Sequence, residues 1–234
     1  MNKFMKLSGI AAAVSAALVL TAGSVQAYEA GDFILRAGAA TVDPSVDSGK
    51  LKANGSTVLN AGAGGATTVD VDSNTQLGLS MTYMLDSHWG IELLAATPFS
   101  HTIKTKGDLG SLGKLADVKH LPPTLTVQYY PMASDSAFQP YVGAGLNYTT
   151  FFDEDFKGSN KAAFRSLELD DSFGVAVQAG FDYALTENLG VNAAVWWIDI
   201  DTEATFKHAT NGTKYKVDVE LDPLVYMVGL NYKF

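Results

Sequence analysis

Ser100 is followed directly by His101, His120 lies at the far end of the same polar stretch, and His208 sits among acids near the C-terminal end. A serine, an imidazole and a carboxylate are the parts of a hydrolytic triad, which works only when the base lies within hydrogen-bond reach of the nucleophile. Nothing in the spacing of these residues brings them together, and the stretches that carry them are rich in glycine, so the chain reads as a non-enzyme. Two acidic groups, Asp153-Glu154-Asp155 and Asp170-Asp171, offer oxygen ligands of the kind that calcium and magnesium prefer. They lack the glycine-bearing spacing of a calcium loop and read as solvated acidic loop. The chain has no cysteine, so disulfides and thiolate chemistry do not arise. No metal and no cofactor is expected.

Residues that cannot do chemistry in a loop can still matter if the fold buries them. The elements that would position them begin after an export signal. In residues 1–27, Lys3 and Lys6 precede an apolar run from Ile10 to Leu20, and Val25-Gln26-Ala27 supplies a small-residue cleavage site. Without that segment, 14 basic residues face 25 acidic ones and the net charge is -11. Such a balance argues against nucleic acid as a partner. Residues 28–234 form one domain and contain no apolar run long enough for a membrane helix, so a membrane role must use strands.

Apolar alternation with a period of two recurs in eight segments: residues 33–42, 75–85, 89–98, 121–130, 138–149, 172–183, 189–200 and 221–234. The last is the clearest. Tyr226, Val228, Leu230, Tyr232 and Phe234 form one wholly apolar face that ends on the C-terminal residue. Segments of about ten residues with one apolar face suit tilted membrane strands with aromatics at the interfaces. The connections alternate between short (86–88, 131–137 and 186–188) and long (43–74, 99–120, 150–171 and 201–220). Short periplasmic turns and long outer loops are the habit of outer-membrane barrels. The expected fold is an eight-stranded antiparallel transmembrane β-barrel in the outer membrane of a Gram-negative bacterium. The long loops, rich in Gly, Ser, Asn, Asp and Lys, read as mobile and solvated.

With odd strands running outward, the inward residues divide along the axis. The lower half receives Arg36, Glu92, Gln128, Gln178 and Asp182, a polar floor whose charges can satisfy each other. The outer half receives Val42, Leu94, Ala96, Trp196, Ile198 and Ile200, an apolar lining. Eight strands leave room for side chains and not for a permanent water pore. A small apolar solute entering from outside would therefore meet a plug. Pro98 ends the third segment and Pro122-Pro123 opens the fourth, its antiparallel neighbour. Proline removes a ladder donor and belongs at strand ends and bulges. These facing prolines predict that strands three and four part near the outer surface, giving a lateral exit into lipid at Pro98, Leu121, Pro122 and Pro123.

The segments Gln76-Leu77-Gly78-Leu79, ELLAATPF (92–99), LPPTL (121–125), PYVGAGLNYTTFF (140–152), WWIDIDT (196–202) and the closing LDPLVYMVGLNYKF together resemble the outer-membrane protein W family. The resemblance covers essentially the whole chain after the signal and is weakest in loops 43–74 and 201–220. It implies a monomeric barrel with a small hydrophobic channel that does not reach the periplasm and opens sideways through the wall. Pro98 matches the family's proline at that opening, Leu121, Pro122 and Pro123 match the segment opposite, and Trp196 matches the channel wall. Tyr232 and Phe234, with Gly229, resemble the signal read by the barrel-assembly machinery, although Met227 stands where that signal usually has a polar residue. The expected partners are small hydrophobic solutes, outer-membrane lipid and lipopolysaccharide. Two alternatives stay open: a channel for small amino acids, and a surface scaffold or receptor with no transport role.

Overall fold

The computed structural model describes residues 28–57 and 68–234. The expected signal segment and the run Asn60-Ala61-Gly62-Ala63-Gly64-Gly65 lie outside the described residues. Eight antiparallel strands make the barrel: β1 Phe33–Asp43, β2 Asn74–Met84, β3 Trp89–Ala96, β4 Thr124–Tyr129, β5 Phe138–Phe156, β6 Ser172–Ala184, β7 Leu189–Ile198 and β8 Leu224–Lys233. Each is paired with the next, and β8 returns to pair with β1 from Ile34↔Lys233 to Asp43↔Leu224. The sheet is closed, as the sequence led one to expect.

Period-two alternation decides the faces. Leu77, Leu79, Met81 and Tyr83 of β2 are exposed, while Gly78 is exposed to neither solvent nor lipid and Ser80, Thr82 and Met84 are buried. The same division holds in β8, where Tyr226, Val228, Leu230 and Tyr232 point outward. In β7 both faces are apolar, and the inward one is set by Asn192, Ala194, Trp196 and Ile198. Pairs of exposed aromatics ring the turn end of the barrel: Phe33 with Tyr83, Trp89 with Tyr129, Phe138 with Phe181, and Tyr232 with Phe234. They form the interfacial girdle of a membrane barrel. The turns at that end are held by side chains. Asp86 Oδ1 accepts from the backbone N–H groups of His88 and Trp89 at 2.7 and 2.8 Å, and Thr186 Oγ1 accepts from Leu189 N–H.

Among the described residues, much of the long connections forms strands, which their loop-like composition had not suggested. Residues Phe99–Lys106 and Lys114–Leu121 form a hairpin, whose second arm pairs with the outward extension of β5. Residues Asp201–His208 and Lys214–Glu220 form a second hairpin, joined by Phe164–Leu169 on one side and by Asp47–Ser48 and Lys52–Ala53 on the other. The reason lies in an alternation that glycine and charge had obscured. Phe99, His101 and Thr105, then Ala116, Val118 and His120, and likewise Thr202, Ala204 and Phe206, all turn inward. Their charged neighbours face solvent. These residues build a second storey above the membrane strands.

Closure depends on close approach along the β8–β1–β2 seam, where Gly229, Gly38 and Gly78 stand in register. A Cβ on Gly38 would collide with the backbone of Val228 and Gly229, and one on Gly229 with the backbone of Ala37. Backbone cannot move aside as a flexible side-chain end can. Gly38→Val should therefore lower the unfolding free energy of the refolded barrel by ~1–3 kcal/mol, the usual cost of overpacking. Urea titration in lipid vesicles, with the mobility shift of the heated protein as the check on folding, measures it.

Candidate functional site

Inside the lower barrel, β1 carries Arg36 to the axis, and all five of its N–H donors find acceptors. Nε donates to Asp182 Oδ1 at 3.0 Å and Nη2 to Asp182 Oδ2 at 2.5 Å, a two-point pairing of guanidinium with carboxylate. Nη1 donates to Glu92 Oε2 at 3.1 Å and Thr82 Oγ1 at 2.6 Å, and Nη2 also reaches Tyr130 OH at 2.9 Å. The guanidinium carbon lies 4.9 Å from the centre of the Tyr141 ring. Thr82 and Tyr130 pass their own protons to Gln128 Oε1. Asp182 receives further donors from Asn192, Asn231 and the hydroxyl of Tyr28. Arg36 and Glu92 have no exposed surface at all.

Of the five residues expected in the floor, Arg36, Glu92, Gln128 and Asp182 thus share one network. Gln178 bonds Thr126 Oγ1 at 2.5 Å and stands beside it. The sequence reading overlooked Thr82, Tyr130 and Tyr28 as members. Thr82 was legible as an inward position opposite Glu92, and Tyr130 continues the inward alternation of Thr124, Thr126 and Gln128. Tyr28 precedes the first strand and carried no signal.

Above the floor the barrel is packed with apolar side chains. Leu94, Trp196 and Ile198 join Ala40, Val225 and Met227 in a buried cluster, with Ala96 half-buried against it. Val42 and Ile200 lie at the outer edge of that cluster and also line a cavity of about 80 Å³. The rest of the cavity wall comes from the second storey, including Val69, Ile103, Phe151, Phe206 and Val219. The six residues expected to line an apolar channel are therefore divided between a packed layer and the base of an open space. The larger part of that space is framed by segments read from sequence as loops.

His101 and His120 are the aromatic corner of this wall. The rings lie 4.9 Å apart, with Phe99 stacked on both and Phe151 against His120. Their Nε2 atoms are 2.9 Å apart, and His101 Nδ1 lies 2.5 Å from the carbonyl oxygen of Asp72. Burial holds both imidazoles below the usual histidine range, His120 at about 3, with the neighbouring His101 adding to its shift. Ser100 is exposed and takes no part, and His208 Nδ1 accepts from Thr210 N–H in the other hairpin. The elements of a triad are thus not brought together. The acidic groups are engaged elsewhere: Asp153 with Lys119, and Asp171 with the hydroxyl of Tyr148.

Between β3 and β4 the ladder ends at Leu94↔Thr124 and resumes at Phe99↔His120. The intervening residues are Ala95 to Pro98 on one side and Leu121, Pro122 and Pro123 on the other. Three of these seven have no N–H to leave unpaired. Thr97 N–H is given to Leu77 O across the β2 side. The carbonyl of Pro122 accepts from Thr124 Oγ1 and Asn147 Nδ2, and that of Pro123 from Tyr148 N–H and Asn147 Nδ2. Asn147, fully buried on β5, donates to both proline carbonyls beside the break.

Two outcomes are expected. Arg36→Met removes the cation that pairs with both Asp182 and Glu92, and unfolding in vesicles should become easier by ~3–5 kcal/mol, because two buried carboxylates lose that partner. For His120 the unfolded ring takes a proton near pH ~6.5 and the folded one at about 3. Its contribution is thus complete above pH ~6.5 and falls by ~1.4 kcal/mol per pH unit as the pH is lowered toward 3. Amide exchange in Phe99–Lys106 and Lys114–Leu121 should be faster at about pH 5 than at about pH 7.5, and His120→Phe should flatten that difference.

The OmpW family model matches residues 29–234. Outer membrane protein W of Vibrio cholerae is 48% identical over 217 residues, which covers 92% of this chain and 94% of that protein. The crystal structure of the outer membrane protein OprG from Pseudomonas aeruginosa superposes with a TM-score of 0.83 at 53% identity, covering 90% of this chain and 99% of that one. At greater distance, the dibenzothiophene metabolism operon protein PahQ of Pseudomonas aeruginosa is 25% identical over 193 residues, 80% of this chain and 82% of that protein. A closed barrel with a lipid-facing apolar belt, matched along its length in sequence and in fold, belongs to the OmpW family of Gram-negative outer-membrane channels and is not an enzyme.

Proposed function

We propose that this barrel admits small hydrophobic molecules from outside and releases them sideways into the membrane between β3 and β4. The observation that carries this reading is one vertical arrangement: an apolar cavity in the outer storey, a filled polar floor below it, and an interrupted ladder in the wall beside it. A solute that prefers oil to water gains by entering the cavity and cannot gain by crossing a floor of Arg36, Asp182 and Glu92. The hydrocarbon beside Pro98, Leu121, Pro122 and Pro123 is the remaining destination. The name of PahQ, a relative that belongs to a dibenzothiophene metabolism operon, accords with an apolar cargo. We also propose that residues 1–27 are removed on export, that the barrel works as a monomer amid lipid and lipopolysaccharide, and that Tyr232 and Phe234 serve its assembly.

The test is uptake of a small apolar compound and of glycine by vesicles carrying the barrel, alongside the folded triple variant Pro98→Ala, Pro122→Ala, Pro123→Ala. Restoring three N–H groups lets the ladder close. Apolar uptake should depend on the barrel and fall several-fold in the variant. Glycine uptake alone would move the path to the floor residues around Arg36 and Glu92, and uptake of neither would leave the scaffold reading.

A further inference from the structure

The ends of a domain are poorly ordered unless something ties them down, and the residues ahead of β1 are tied at several points. Glu29 N–H donates to Asp32 Oδ2 at 3.0 Å and Asp32 N–H to the Glu29 carbonyl at 3.2 Å, which closes a tight turn. Gly31, at φ +98°, takes the left-handed conformation within it. Its N–H reaches the Met84 carbonyl at 2.9 Å, and Met84 N–H returns to the Asp32 carbonyl at 2.9 Å, so the turn is fixed to the end of β2. Lys233 of β8 stands 3.7 Å from Asp32 Oδ2. Tyr28 is thereby sent under the barrel, across from β8. There its backbone N–H donates to the carbonyl of Ser134, in the β4–β5 turn, at 3.2 Å. Its ring meets Tyr130 edge-on at 5.4 Å, and its hydroxyl donates to Asp182 Oδ2 at 3.0 Å. Residues 28–32 thus cross the periplasmic mouth as a strap. The recess left beside it, lined by Tyr28, Ser134, Gln139, Asp182 and Glu187 among others, measures about 20 Å³, room for a water and for no larger solute.

We propose that this periplasmic mouth is the binding site of the chain's own processed N-terminus: an α-ammonium on Tyr28, held by the Ser134 carbonyl and latched by the Tyr28 side chain. The proposal rests on the removal of residues 1–27 and says what becomes of the end so made. Cleavage after Ala27 turns the Tyr28 nitrogen from a peptide donor into a charged one, which makes the stronger bond to a carbonyl. The acceptor is held in place for it. Gln139 Nε2, on a buried side chain, also donates to Ser134 O at 3.1 Å, and to Ala133 O and Ser136 O at 2.7 and 3.1 Å, which fixes the turn around that carbonyl. Asp182 and Glu187 line the same recess and favour a cation there, while its lysine, Lys233, stands beside Asp32. Export processing therefore leaves no loose tail. The first residue of the processed chain bonds the same carboxylate that grips Arg36, and an aminopeptidase finds no free end to trim.

The experiment takes the barrel purified from outer membranes into lipid nanodiscs, fixes its first residue by intact mass, and follows acylation of the α-amine at neutral pH by mass spectrometry, with the exposed lysines as internal reference. The comparison protein carries a glycine pair inserted between Ala27 and Tyr28, which moves the amine out of the mouth and leaves every side chain in place. The α-amine of Tyr28 should react roughly 10-fold or more slowly than that of the extended chain, because it is reached only when the strap opens. In Tyr28→Ala the protection should vanish, and an aminopeptidase that leaves the unaltered barrel whole should trim the variant. Should Tyr28→Ala fail to fold, the unaltered and extended chains still decide. Equal α-amine rates in those two overturn the proposal, as does protection that survives in folded Tyr28→Ala. A first residue other than Tyr28 overturns the cleavage reading and this one with it.

Discussion

Hydrocarbon offers no hydrogen bonds, so every backbone N–H and C=O within it must find its partner in the protein. The whole molecule answers to that constraint. Eight strands satisfy it only if the eighth closes on the first, and closure at this radius brings the β8 and β1 backbones so near that Gly229 and Gly38 stand at the contact, while Gly78 on β2 leaves room for Ala40 and Met227. The outward side chains then meet lipid and are apolar, while the inward ones must fill a narrow bore. What remains for the sequence to choose is how polarity is distributed along that bore.

The distribution is stratified. At the bottom, one guanidinium is surrounded by two carboxylates, two hydroxyls and an aromatic face; both hydroxyls pass on to Gln128, and Asp182 is shared with Asn192 and Asn231. Such a network ties β1, β2, β3, β5 and β6 to one another through a single side chain. It also resists passage, since a charged or polar visitor would have to displace partners that are already matched. Next comes a packed apolar layer around Trp196 and Met227, and only above it an open space.

The barrel was legible because its signal is periodic. Each membrane strand alternates over about ten residues, and the short turns at 86–88, 131–137 and 186–188 set the direction of every strand. The pairing of Arg36 with Glu92 followed from direction and face alone. Its stronger partner, Asp182, was recognised as a floor residue, but the choice between two carboxylates depends on side-chain reach that spacing does not encode. The second storey was hidden for a different reason. In Phe99–Lys106 and Lys114–Leu121 the outward positions are lysine and aspartate in water, not leucine in lipid, so the alternation of His101, Ile103, Val118 and His120 looked like a polar loop. His101 and His120 were weighed as parts of a hydrolytic triad, and their actual relation, ring against ring, depends on the register Phe99↔His120. Asn147 had been noted only as an inward residue. Its function appears once the missing rungs beside it are counted.

A break in a sheet normally exposes an edge, and an exposed edge is an invitation to any passing strand. The rim between β3 and β4 issues no such invitation. Its prolines have no N–H to offer, and the carbonyls of Pro122 and Pro123 are already occupied by Asn147, Thr124 and Tyr148. Along the Pro122–Pro123 side of the break no N–H is offered and both carbonyls are taken, so the interruption of the ladder does not leave a row of open pairing groups on that side.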